Sequence, residues 1–170
     1  VAYNFLPRWK PPRNDYPSRY HWQRVKEYER IKVQYNRVKA NAPCDMIKYG
    51  EIKALMSGIT AIQGTSPASA CVEPLIRNVE NHLRIPAVGA AYVRTYILDI
   101  RGWEGPAPDW SATRSLVLHL GEGRNEASRE ELGICRQKGL LTAQTSIIHG
   151  TAFGEAEFRE MAAAGAKLIW

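Results

Sequence analysis

Ser-Leu-Val-Leu-His-Leu-Gly-Glu-Gly at residues 115–123 and Thr-Ser-Ile-Ile-His-Gly at 145–150 decide how this chain reads. Each is a short apolar run of buried-strand type ending in an imidazole, His119 in one and His149 in the other. Between them, Ser128 to Lys138 has helical spacing with Leu132 and Cys135 on one face, and Gly139 suits a left-handed helix stop. Strand, helix, strand predicts a parallel βαβ unit. Such a unit sets both histidines on one rim of a sheet, where α/β proteins build their sites. Glu122 stands three residues after His119, within reach of the same place.

The alternation continues outward. Glu155–Ala164 reads as a helix with Phe158, Met161 and Ala162 on one side, Gly165 ends it, and Lys167–Trp170 begins another strand. Upstream, Tyr96–Ile100 has strand character, 102–108 is a loop rich in Gly and Pro, and a short helix is expected over Asp109–Arg114. Leu75–Glu80 and Ile59–Gly64 are further strand candidates. A helix capped by Asp45 and closed by Ser57-Gly58 precedes them. Parallel strands alternating with helices over residues 45–170 make the chain α/β, as an open sheet or an incomplete barrel of five or six strands. A closed eight-strand barrel needs about 250 residues.

The first 44 residues differ in character. Pro7, Pro11, Pro12 and Pro17 keep the start irregular, and Tyr20–Ala40 reads as a basic amphipathic helix ended by Asn41-Ala42-Pro43. Lys and Arg outnumber Asp and Glu by ten to three over the first forty residues, and the whole chain carries +6. Interleaved with Tyr16, Tyr20, Trp22, Tyr28 and Tyr35, this charge could form a polyanion-binding face. No nucleic-acid module accompanies it, so a solvated helix is the favoured reading and nucleic acid the disfavoured partner. No apolar run reaches the 18–20 or so residues that span a bilayer, and no signal peptide is visible at the start. Cys44, Cys71 and Cys135 lack CxxC spacing and read as reduced thiols of a cytoplasmic protein.

A single histidine at the end of an apolar strand is more often structural than catalytic. Here three features favour chemistry: Glu122 nearby, Gly121 and Gly123 to turn the chain after the strand, and His149 in the equivalent place on the next strand. Neutral imidazole binds zinc or iron, and a carboxylate beside a metal-activated water can shuttle its proton. Arg77, with Asn78 and Glu80, could bind a polar substrate group or could pair with Glu73 or Glu80. His21 and His82 lie in polar surroundings and read as surface groups. Neither a phosphate loop nor a GxSxG elbow is present.

Four segments in order, Glu51-Ile-Lys-Ala-Leu-Met-Ser-Gly-Ile-Thr-Ala-Ile-Gln-Gly, His119-Leu-Gly-Glu122, Ile147-Ile-His149-Gly and Met161-Ala-Ala-Ala-Gly-Ala-Lys-Leu-Ile-Trp170, resemble the amidohydrolase superfamily. The nearest branch is that of cytosine deaminase, guanine deaminase and the chlorohydrolases. The resemblance implies a partial TIM-type (β/α)8 barrel domain over residues 1–170, the segments matching its second, fifth, sixth and seventh strand regions. It implies metal-dependent hydrolysis of a C–N bond in a small molecule. His119 resembles the metal ligand, Glu122 the proton-shuttling glutamate, and His149 the histidine that polarises the substrate. No counterpart of the family's carbamylated lysine occurs at 96–100, so one divalent ion is implied, zinc first, with iron, nickel or manganese also suited. The family's His-x-His pair is absent and the chain ends near the seventh strand. An internal piece of a longer enzyme is therefore expected, with open sheet edges that favour homo-oligomers.

Overall fold

The computed structural model describes residues 8–13, 16, 19–62, 75–78, 92–96 and 99–170. The chain divides into two compact units, Val1–Asn14 with Trp22–Ile85, and Asp15–His21 with Pro86–Trp170. The expected readings of Glu73, Glu80 and His82 fall outside the described residues.

Two helices dominate the first unit, α2 (Lys26–Asn41) and α3 (Pro43–Met56), after a single turn α1 (Arg19–Trp22) that runs across the unit boundary. Helix α3 starts two residues before Asp45, the expected cap. Pro43 occupies its first turn, where a missing N–H costs nothing, and Asp45 sits in that turn as a favourable charge. Gly58 then leaves the helix at φ +79. Strand β1 (Ala61–Ile62) pairs in parallel with β2 (Arg77–Asn78). Trp9, Trp22 and Tyr28 pack on one another, with Trp22 and Tyr28 edge-on at 4.9 Å between centroids, so Tyr28 is buried. Lys26, Arg30, Arg37 and Lys39 of α2 are exposed.

A parallel sheet in the order β3 (Tyr92–Tyr96), β4 (Thr113–Leu120), β5 (Thr145–His149), β6 (Lys167–Ile169) forms the second unit. Helices α4 (Glu126–Arg129) and α5 (Glu131–Gln137) join β4 to β5, and α6 (Glu155–Ala163) joins β5 to β6. This is the parallel α/β alternation expected from the sequence; the described strands form an open sheet and no closed barrel.

Leu116, Leu118 and Leu120 alternate along β4 onto one face. There they meet Ile147 of β5, Leu132 and Cys135 of α5, and Met161 of α6. Each of these leucines is essentially inaccessible, and burying one contributes about 1.5–3 kcal/mol. From α6 only Met161 reaches that core fully, while Phe158 stays 38% exposed against the edge of Phe153 and Ala162 is exposed.

Several local expectations are corrected. Of the strand expected over 96–100, Tyr96 ends the described strand Tyr92–Tyr96, and residues 97 and 98 fall outside the described residues. Asp99 and Ile100 are not strand, because Asp99 accepts a hydrogen bond from the Arg101 amide (2.9 Å) and starts a 3-10 turn at Ile100–Gly102. That turn sends Ile100 into the core. No helix forms at Asp109–Arg114. The Asp109 carboxylate takes the Ser111 amide (2.9 Å) to make a turn, and Thr113 and Arg114 already belong to β4. The expected helix over 128–138 starts earlier and is broken at Glu130 into α4 and α5; Asn125 caps α4 through the Ser128 amide (3.1 Å). Cys135 is a buried free thiol as expected, whereas Cys44 is disulfide-bonded, against the expectation of reduced thiols.

Candidate active site

Parallel pairing of β4 with β5 sets Leu118 beside Ile147, His119 beside Ile148 and Leu120 beside His149. Side chains of paired residues share a face, and faces alternate along each strand. Leu118, Ile147 and Leu120 all face the helix-side core, so regular alternation would send His149 there too. His149 instead adopts φ +84, the only non-glycine among the described residues with a positive φ. That left-handed residue swings the ring to the opposite face. His149 Nε2 then lies 3.2 Å from His119 Nδ1, the two rings edge-on at 5.1 Å between centroids.

Glu122 completes the group, its Oε2 lying 3.9 Å from His149 Nε2. Gly121 makes the turn that allows this at φ +64, while Gly123, expected to share in it, has no positive φ. A Cβ on Gly121 would fall 2.7 Å from Phe153 Cε1, so this position has room only for glycine. The loops leaving the two strands are bonded to each other: Gly150 N–H donates to the Leu120 carbonyl and Ala152 N–H to that of Gly121, each at 2.9 Å. The Gly121 N–H in turn donates to the buried carboxylate of Glu131 (2.7 Å), whose other oxygen accepts from Arg101 Nη1 at 3.2 Å. Burial raises the Glu131 pKa despite those two donors. The carboxylate thus ties α5 to the turn that carries His119 and Glu122.

Arg19 also belongs to this group. Its Nη1 lies 3.1 Å from His119 Nδ1, its Nε 3.5 Å from Glu122 Oε2, and its Nη2 donates to the Tyr20 hydroxyl at 3.1 Å. An imidazole nitrogen facing a guanidinium donor must be unprotonated, so His119 carries its proton on Nε2. Burial, then Arg19, then His149 lower the His119 pKa to about 4. His149 is lowered by burial and by Arg19, with Glu122 opposing. Both rings are therefore neutral at pH 7.

Of the residues expected to do chemistry, His119, Glu122 and His149 come together. Arg77 is exposed on β2 of the first unit, whereas the three belong to the second. The sequence reading missed Arg19, hidden in a basic stretch whose charges otherwise look alike, and Glu131, a polar residue opening a helix. A carboxylate ten residues after Gly121 in an apolar helix face was the available signal for Glu131.

Two imidazole nitrogens and a carboxylate oxygen are donors that zinc accepts, and a ligand imidazole must be neutral, as His119 is. The donor chemistry fits a divalent metal. As arranged, no group of three or more His, Cys, Asp or Glu side chains among the described residues is set to hold one. The Arg19 guanidinium stands among the three side chains instead. No helix among the described residues is long and apolar enough to cross a membrane. No protein-family model matches the chain, and neither a curated protein nor a solved structure shows significant similarity to it.

Proposed function

We propose that this chain is part of a metal-dependent hydrolase of the amidohydrolase type, acting on a C–N bond of a small cyclic amide or amine-substituted ring. One observation carries the reading: His119, Glu122 and His149 converge at the C-terminal ends of adjacent parallel strands. Partners in this reading are a small-molecule substrate and one divalent ion, zinc first, with His119 as its ligand in this chain. Such an ion, when bound, lowers the pKa of a water to about 7. Glu122 accepts a proton from the attacking water and delivers it to the departing nitrogen. For a cyclic amide this balances the reaction; for an aminated ring the second water proton, left on the tetrahedral hydroxyl, passes to the ring nitrogen. His149, neutral and aimed by its left-handed backbone, donates a hydrogen bond to the substrate heteroatom on which negative charge develops.

A cytoplasmic setting belongs to the same proposal, and the disulfide at Cys44 weighs against it. Self-association along β6, where Leu168, Ile169 and Trp170 are exposed, is also part of the proposal. Polyanion binding through residues 8–39 has weaker support, because Trp9, Trp22 and Tyr28 pack on one another.

The test is ring opening of cyclic amides, followed by chromatography, and ammonia release from aminated rings, each with the zinc-, iron-, nickel- or manganese-loaded full-length protein. Glu122→Gln should lower turnover about 10²–10⁴-fold, the usual contribution of a positioned acid–base group. Undiminished turnover in that variant, or none by the wild type across the panel, sinks the reading.

A further inference from the structure

We propose that Arg19 is an internal cation that closes this site against divalent metal, so that its guanidinium and a metal ion occupy the place between His119 and Glu122 in alternation. The inference rests on the metal-dependent reading above and concerns what that reading leaves unexplained: a positive side chain in the place of the ion.

All three nitrogens of the guanidinium are committed. Nη1 meets His119 Nδ1 at 3.1 Å, Nε meets Glu122 Oε2 at 3.5 Å, and Nη2 donates to Tyr20 at 3.1 Å, with the guanidinium carbon 5.1 Å from the Tyr20 ring centroid. A planar guanidinium contacted at each of its three nitrogens is a defined seat, and only 15% of the side chain is exposed. His119 Nδ1, 3.1 Å from Arg19 Nη1 and 3.2 Å from His149 Nε2, offers a single lone pair, the one a metal would need, so an ion there displaces the groups that now face it. The carboxylate oxygen beside Nε is the second shared atom. Two cations cannot share these atoms, so seating the ion requires Arg19 to leave. Arg19 is well suited to leave, since it sits in a single helical turn, Arg19–Trp22, which contributes no buried residue.

A guanidinium seated about nine-tenths of the time lowers the apparent metal affinity about tenfold, because only the open fraction binds. The test is a zinc titration of the full chain by calorimetry, metal alone, comparing wild type, Arg19→Gln and Arg19→Gln with His119→Ala. The expected result is one zinc site that needs His119 and tightens about tenfold in Arg19→Gln. Most of that gap should persist at high salt, which screens the long-range field of an arginine far more than the short contacts of a guanidinium only 15% exposed. Equal, His119-dependent affinities in wild type and Arg19→Gln overturn the inference and leave the metal reading standing. A gap that vanishes at high salt also overturns it, since repulsion alone then accounts for the difference. Absence of His119-dependent binding in every variant removes the metal reading and this inference with it. Arg19→Lys, which keeps the charge and loses the fork, covers the case of a poorly folded Arg19→Gln: its zinc affinity should exceed that of wild type, and an unchanged value counts against Arg19.

Discussion

His149 Nε2 lies 3.2 Å from His119 Nδ1, although their strands are in a register that pairs His119 with Ile148. The contact exists because His149 leaves the regular strand at φ +84. A left-handed conformation costs a residue with a Cβ about 1–2 kcal/mol, and such strain is retained where the neighbouring structure imposes it. Gly150 follows directly at φ +67, so two successive residues turn the chain away from β5.

That strain is measurable. Replacing His149 by Ala and by Gly removes the same imidazole and differs in the backbone alone. Glycine in a strand is ordinarily the weaker choice, yet here His149→Gly should be the more stable by about 1 kcal/mol in urea unfolding. Equal stability, or the ordinary order, would show that residue 149 is unstrained.

Gly121→Ala should destabilise the chain by about 1–3 kcal/mol, since the new Cβ falls 2.7 Å from Phe153 Cε1 at a φ that disfavours side chains. Adding Phe153→Leu should recover part of the loss by freeing space, and the double-mutant cycle gives the coupling. Strict additivity would contradict the contact.

Stability of the metal-free chain should fall as pH drops from about 6.5 toward 4. In the fold the His119 pKa is lowered from 6.5 to about 4, so within that window the unfolded chain binds a proton that the folded chain does not. The stabilisation is complete above 6.5 and is lost as pH falls through the folded value, a change of about 3 kcal/mol at most, reduced to roughly 1–2 kcal/mol by solvent screening of the partly exposed ring. His119→Gln should flatten this part of the urea-midpoint profile. An unchanged slope would mean that other groups produce it.

Cys135 should resist alkylation in the native state. Burial, then Glu160, push its thiol pKa up to about 12, leaving almost no thiolate at pH 8. Iodoacetamide labelling followed by peptide mass spectrometry should mark Cys135 only after denaturant is added. Native labelling at a rate typical of free thiols would place it outside the core.

The parallel unit around the site was legible in the sequence because the apolar runs ending at His119 and His149 are continuous, as strands buried on both faces must be. Its parts of mixed polarity were not. Asp99 and Asp109 use their carboxylates to close turns where residue propensity suggested a strand and a helix. The meeting of His119, Glu122 and His149 was expected from spacing. Its cause, a left-handed histidine, has no signature in residue type. Arg19 lies a hundred residues from its partner, and no local pattern reports a contact of that range.

The central claim, that His119, Glu122 and His149 form one metal-responsive site, is tested most directly by following imidazole resonances by NMR while zinc is added to the metal-free chain. Of the four histidines, His119 and His149 should shift together and saturate at one equivalent, while His21 stays in place. Shifts confined to His21, or no response of His119 and His149 at any zinc level, would contradict it.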